Sequence, residues 1–198
     1  MKKVFNRAFM AKKKVFSVFA AVLMAATVSL SAAERGKFIH VDNTVNKNLK
    51  PQIAFVQTHT NGADVTTLLV KTVNTNAYNE FTDASRILIR LSDGQAIRLN
   101  RTETPVSKEK KYSEKKGTAT ISFYPTIAEY ETKPELIEGL TKGEKIVKVR
   151  VVFKENEAKD YEIAEGYQAK MAADLLKSYQ EAALNNKKAN ADLSDEDF

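Results

Sequence analysis

Arg86-Ile87-Leu88-Ile89-Arg90-Leu91-Ser92-Asp93-Gly94-Gln95-Ala96-Ile97-Arg98-Leu99-Asn100 decides how this chain is read. Ile87, Ile89 and Leu91 alternate with Arg86, Leu88 and Arg90 before the turn signal Asp93-Gly94, and Ile97 and Leu99 alternate after it. Period two is the mark of strands, so the stretch is a hairpin. Its loop length follows from register. A two-residue Asp93-Gly94 loop opposes Ile89 to Arg98. A three-residue Ser92-Asp93-Gly94 loop opposes Ile89 to Ile97 and Ile87 to Leu99. Only the second gathers the apolar side chains on one face, because a one-residue slip reverses every side chain. The expected turn is therefore type I plus a bulge, with Gly94 left-handed. The same register puts Arg86, Arg90 and Arg98 on the opposite face, beside Leu88 and Asn100.

The pattern extends in both directions. Gln52 to Thr60 and Val65 to Val73 read as strands around Asn61-Gly62, two residues that tolerate positive φ. The second is apolar on both faces and suits a central position. Residues 102–117 are dense in lysine and glutamate and read as a charged loop. Thr118 to Tyr124 is the next strand. Thr132-Lys133-Pro134-Glu135 has the form of a helix start, with Thr132 as cap and Pro134 in the first turn, and Gly143 as the stop. Ile146 to Phe153 is the strongest strand, with Val147, Val149, Val151 and Phe153 alternating against Lys148 and Arg150. A polar turn then leads to a short strand, Asp160 to Ile163.

From Glu165 to Leu184 the period changes to 3.6. Tyr167, Met171, Leu175, Tyr179 and Ala183 follow at four-residue steps, flanked by Ala172 and Leu176, and Lys170, Asp174, Lys177 and Glu181 lie opposite. The expected architecture is α+β: an antiparallel sheet of six or seven strands built from hairpins, a short helix, and a C-terminal amphipathic helix packed on one face. It is expected as a single domain over 50–184, between a flexible leader, 34–49, and a disordered acidic tail, 185–198.

Five stretches carry a resemblance: Ile87 to Gly94, Pro134 to Leu140, Lys145 to Val151, Tyr161-Glu162-Ile163 and the terminal helix. In this order, over residues 86–184, the chain resembles small exported proteins of unknown function from Gram-negative gut anaerobes. The resemblance implies an antiparallel sheet with a packed C-terminal helix, and it carries no catalytic residue.

The first 33 residues read as a secretory signal peptide. Lys2, Lys3, Arg7, Lys12, Lys13 and Lys14 precede an apolar run of 14 residues, Val15 to Val28, and Ser31 and Ala33 suit a signal peptidase. A membrane span needs about 20 apolar residues. Cleavage is expected between Ala33 and Glu34, and mass spectrometry of the native protein should read an N-terminus within a few residues of Glu34. Retention of residues 15–28 would overturn the expectation. Met10 opens an equally good signal, so residues 1–9 can be an extension. Six of the 31 basic residues and none of the 25 acids precede Glu34, leaving 25 of each from Glu34 onward. A neutral remainder argues against a nucleic-acid partner. The chain has no cysteine, which removes disulfides, thiolate chemistry and lipidation through an N-terminal cysteine. A periplasmic or secreted protein follows, with no transmembrane segment after processing.

Chemistry-bearing constellations are scarce. His40 and His59 are the two histidines, neither at ligand spacing from a second ligand, and Asp192, Asp195, Glu196 and Asp197 sit in the tail. No metal, cofactor or catalytic residue is assigned. No Gly-x-Ser-x-Gly elbow or Gly-rich phosphate loop is present. Glu129 with Glu131 is a possible acid pair for glycoside hydrolysis. Phe123, Tyr124 and Tyr130 around Pro125 are a possible aromatic surface, more often a sealed core edge. Arg86, Arg90 and Arg98 are the candidate binding residues, since arginine forks suit carboxylate, sulfate or phosphate. The expected function is a non-catalytic envelope protein with a binding or structural role. Its partner is an anionic envelope component, such as an acidic polysaccharide or lipid head group, or an acidic protein. The alternative is an extracytoplasmic hydrolase with a carboxylate-based site.

Overall fold

Strand pairing is antiparallel throughout the described residues, which in the computed structural model are 35–41, 49–60 and 62–195. The expected signal segment, residues 1–33, and the expected cleavage pair Ala33/Glu34 lie outside them. Among the described residues ten strands form two sheets. The larger runs β1 (Ile39–His40), β2 (Gln52–Thr60), β3 (Ala63–Asn74), β8 (Ala119–Glu131), β6 (Ser107–Lys108), with β7 (Tyr112–Lys116) paired to the first half of β8. The smaller runs β10 (Glu157–Glu162), β9 (Ile146–Lys154), β4 (Arg86–Leu91), β5 (Ala96–Asn100). Helix α1 (Pro134–Thr141) joins the sheets and α2 (Glu165–Asp195) follows β10. The fold is α+β, as expected, but hairpins expected in one sheet are divided between two.

The decisive hairpin has the register that its apolar residues require. Ile89 opposes Ile97 and Ile87 opposes Leu99. Gly94 has φ 91°. Its N–H donates to the Leu91 carbonyl at 3.1 Å, and the Leu91 N–H donates to the Gln95 carbonyl at 2.9 Å. That is a type I turn closed by a glycine bulge. All four apolar side chains are buried, and so is Leu91.

One core joins the sheets. Ile53, Phe55, Leu68 and Val70 from β2 and β3 meet Ile87, Ile89, Leu99, Val149 and Val151 from the smaller sheet, with Leu136 and Leu140 of α1. Helix α2 adds Met171, Leu175 and Ala182, and Tyr179 meets Phe55 edge-on at 5.5 Å. The buried stripe runs Met171, Leu175, Ser178, Ala182, Asn186. A strict four-residue series reaches Ala183 instead, which is half-buried. The helix turns once every 3.6 residues, so steps of four must be interrupted by a step of three to hold the face.

Four expectations are corrected. The tail is helical as far as Asp195; Asn186 is buried and donates to Asp64 at 3.0 Å, and Asn185 donates to the Arg35 carbonyl at 3.1 Å. Polar side chains with specific partners hold this stretch, which hydropathy alone does not reveal. The leader is built in from Arg35 to Val41: Gly36 donates to the Phe55 carbonyl at 2.8 Å, Ile39 pairs with Ile53, and Val41 is fully buried. The charged loop 102–117 contains β6 and β7, with Tyr112 stacked on Phe123 at 5.0 Å. Polar side chains on both faces of β7 hide its period. Finally, β8 continues through Pro125 to Glu131. In an antiparallel strand a residue's N–H and C=O face the same side. The Pro125 carbonyl accepts from Glu109 in the segment joining β6 to β7. The missing N–H therefore faces that junction and costs no ladder bond. Because β8 runs on, α1 starts with Lys133 as N-cap and no side-chain cap, and the Thr132 hydroxyl is buried without a partner.

Candidate functional site

The outer face of the smaller sheet is assembled in three rows across β10, β9, β4 and β5. Ala158, Val152, Arg86 and Asn100 form the first; Asp160, Arg150, Leu88 and Arg98 the second; Glu162, Lys148, Arg90 and Ala96 the third. The inner residues of these strands fill the core, so alternation sends these side chains outward. Arg90 and Arg98 are exposed, Arg86 is half-buried, and the three share one face as expected. Pairing with β9 adds Lys148 and Arg150, and β10 adds Asp160 and Glu162.

The acids are already engaged. Asp160 is gripped by the Arg150 guanidinium, through Nε and through Nη2 at 2.7 Å, and by Lys148 Nζ at 3.0 Å. Lys148 also meets Glu162 at 2.6 Å. The hydrogen bonds from Arg150, then those from Lys148, hold the Asp160 carboxyl well below the usual carboxylate range. Hydrogen bonding to Glu162, then to Asp160, raises the Lys148 ammonium. Arg86, Arg90 and Arg98 have no carboxylate partner among the described residues. Arg86 reaches the Ala84 carbonyl at 3.5 Å and Arg98 Nε donates to Asn100 Oδ1 at 3.2 Å. Arg90 stands directly opposite Lys148 across the β4–β9 ladder, an unfavourable like-charge pair. An open depression of about 220 Å³ lies at the centre, lined by Leu88, Arg90, Ala96, Lys148 and Arg150. Its floor is aliphatic and its rim cationic.

Other candidates are not drawn together. His59 Nδ1 lies 2.9 Å from Asp64 Oδ1 at the β2–β3 hairpin end, where Asn186 also binds Asp64. These contacts tie α2 to the hairpin. The His59 hydrogen bond, against a smaller desolvation effect, keeps the Asp64 carboxyl below its ordinary value. His40 lies at the other end of α2, where Tyr167 donates to its carbonyl at 3.1 Å. No group of three or more metal-ligating side chains converges among the described residues. Glu129 accepts from the Thr67 hydroxyl while Glu131 is exposed. The pair stands two residues apart on one strand face, flush with the sheet. The aromatic group is not a surface: Phe123 and Tyr130 are fully buried and Tyr124 packs edge-on against Tyr78 at 5.3 Å. The Tyr130 hydroxyl has no partner, and burial raises its pKa.

Sequence reasoning reached the three arginines because one hairpin carries them. It missed Lys148 and Arg150 as their neighbours. Alternation in β9 already placed both opposite Val149 and Val151, but nothing local says that β9 pairs with β4. No helix among the described residues is long and apolar enough to cross a membrane. Comparisons with protein-family models, with curated proteins and with solved structures returned no match.

Proposed function

We propose that this chain is an exported, non-catalytic binding protein of the envelope, and that the outer face of the smaller sheet engages an anionic partner. The observation that carries the reading is the excess of cations in the three rows, five against two acids, with Arg86, Arg90 and Arg98 in no ion pair among the described residues; Glu155 and Glu157 stand at the rim beside Arg86. Surface cations on sheets are commonly offset by nearby acids. Here the acids are spent on Lys148 and Arg150, and an anionic partner relieves the remaining repulsion. The face is rigid because its opposite side is the core, so little ordering cost attends binding.

Replacing both Arg90→Glu and Arg98→Glu tests this. Both side chains are exposed, so circular dichroism should be unchanged and stability should move by about 0.5 kcal/mol per site. At low salt the unaltered protein should bind at least one of three probes: polyglutamate, polygalacturonate or phosphatidylglycerol vesicles. Binding should weaken steeply as salt rises, and the double variant should lose it. An unaltered protein that ignores all three probes, or a double variant that binds as well, ends the reading.

A further inference from the structure

We infer that the partner is an acidic polypeptide segment in extended conformation, which adds to β5 as a fifth strand of the smaller sheet; this rests on the basic-face reading above. The basis is where the backbone of β5 points. β5 is an edge from Ala96 to Leu99: β4 pairs with one side and no strand continues the sheet on the other among the described residues, while just past its end Arg101 bridges Tyr130 of β8 and Thr102 donates to the Glu129 carbonyl. The hydrogen-bonded pairs can be followed along the hairpin. Leu91 bonds Gln95 at one end and Arg101 donates to the Ser85 carbonyl at the other. Alternation between them makes Ile89/Ile97 and Ile87/Leu99 hydrogen-bonded pairs. The N–H and C=O groups of Ala96 and Arg98 therefore turn away from β4, to the open edge, whereas those of Asn100 turn toward the end of β8.

Ala96 and Arg98 also have their side chains on the basic face, and both are exposed. A strand docked on their backbone must send alternate side chains over that face. Cross-strand neighbours sit about 5 Å apart. An acidic residue opposite Arg98 then meets its guanidinium, and Arg86 and Arg90 lie one strand further in. Strand addition takes affinity from the main chain and specificity from alternate side chains. The depression beside Ala96, floored by Leu88, accepts an aliphatic stem between acids.

The other anionic classes fit less well. None of the twelve outer-face residues is aromatic, so a sugar ring has no stacking platform. A second copy is disfavoured. Antiparallel pairing of two β5 edges centred on Arg98 would oppose arginine to arginine, a like-charge contact of the kind that guards edges against self-association. The charge that rejects a second β5 selects an acidic strand.

The test uses the purified full chain and a fluorescein-labelled decapeptide alternating glutamate and valine. Ala96→Pro removes one outward N–H, keeps every charge and spares the ladder to β4. The peptide should bind the unaltered protein at low salt. Binding should weaken by about tenfold in Ala96→Pro, the loss of one well-made hydrogen bond. A peptide N-methylated at alternate residues should weaken likewise, without any change to the protein. Amide exchange at Ala96 and Arg98 should slow when peptide is bound. Unchanged exchange at these amides, with binding indifferent to Ala96→Pro and to N-methylation, overturns strand addition while leaving an anion-binding face. Preference for polygalacturonate or phosphatidylglycerol vesicles over the peptide overturns it too. Failure of all anionic probes overturns both readings.

Discussion

A chain stopped after Ala164 is expected to aggregate, whereas one stopped after Ala189 should melt within about 3 °C of the full chain. The first truncation removes Met171, Ala172, Leu175 and Ala182, all buried in the shared core. Loss of one buried Leu or Met to Ala alone costs roughly 2–5 kcal/mol. A domain's whole stability is about 5–15 kcal/mol, so loss of the stripe exceeds it. Polar contacts go as well. The Phe55 N–H donates to the Ser178 hydroxyl at 3.1 Å in a buried position, and without α2 that donor and the edge of β2 are open. The second truncation keeps Asn185 and Asn186 with their bonds to Arg35 and Asp64. Soluble expression, melting followed by circular dichroism, and binding of a hydrophobic dye separate the outcomes. Equal stability of the two chains would remove α2 from the core.

Gly36→Ala is expected to destabilise the protein by about 3 kcal/mol, at the upper end of overpacking costs. Melting should fall by roughly 9 °C, since each kcal/mol shifts a domain of this size by about 3 °C. A Cβ on Gly36 would sit 1.9 Å from the Ser178 carbonyl oxygen and 2.6 Å from its carbonyl carbon. Those are backbone atoms of α2 and cannot rotate aside. Either α2 moves or the segment Arg35 to Val41 leaves the sheet. Its departure breaks the Gly36–Phe55 bond and uncovers Ile39 and Val41. Limited proteolysis should then cut within residues 35–41, whereas the unaltered protein should resist cleavage there. Gly166→Ala is the control. Nothing lies within 4 Å of a Cβ there, and alanine in the first turn of α2 should leave stability equal or raise it by up to about 1 kcal/mol. Equal melting of the two variants would mean that the leader does not pack under α2.

The hairpin around Asp93-Gly94 was legible down to its register because the information is local. Five apolar residues, a turn pair and a period of two admit one arrangement that buries them all. The same holds for Gly62, with φ 79° at the turn between β2 and β3, and for Gly143, with φ 85° after α1. The start of α2 was legible from the change of period. Strand β7 was not, because Tyr112 is its one large apolar residue and its partner Phe123 lies across a turn. Pro125 misled for a related reason: whether proline ends a strand depends on what its missing N–H faces.

The candidate site divides along the same line. Sequence alone determined that Arg86, Arg90 and Arg98 share a face and that this face is opposite the buried isoleucines, since a strand has two faces and burial claims one. It also determined that the charges from Glu34 onward balance, 25 basic against 25 acidic, so the cations of this face are a local excess within that stretch. Only the tertiary structure decided that β9 lies beside β4, bringing Lys148 and Arg150 to the arginines, and that Asp160 and Glu162 are consumed by those two. Only it decided that β5 is an edge and that residues 35–41 lie against α2. Each of these is a pairing between segments far apart in the chain. Local propensity and alternation say what a segment buries; which segment covers it is settled when the whole core closes at once.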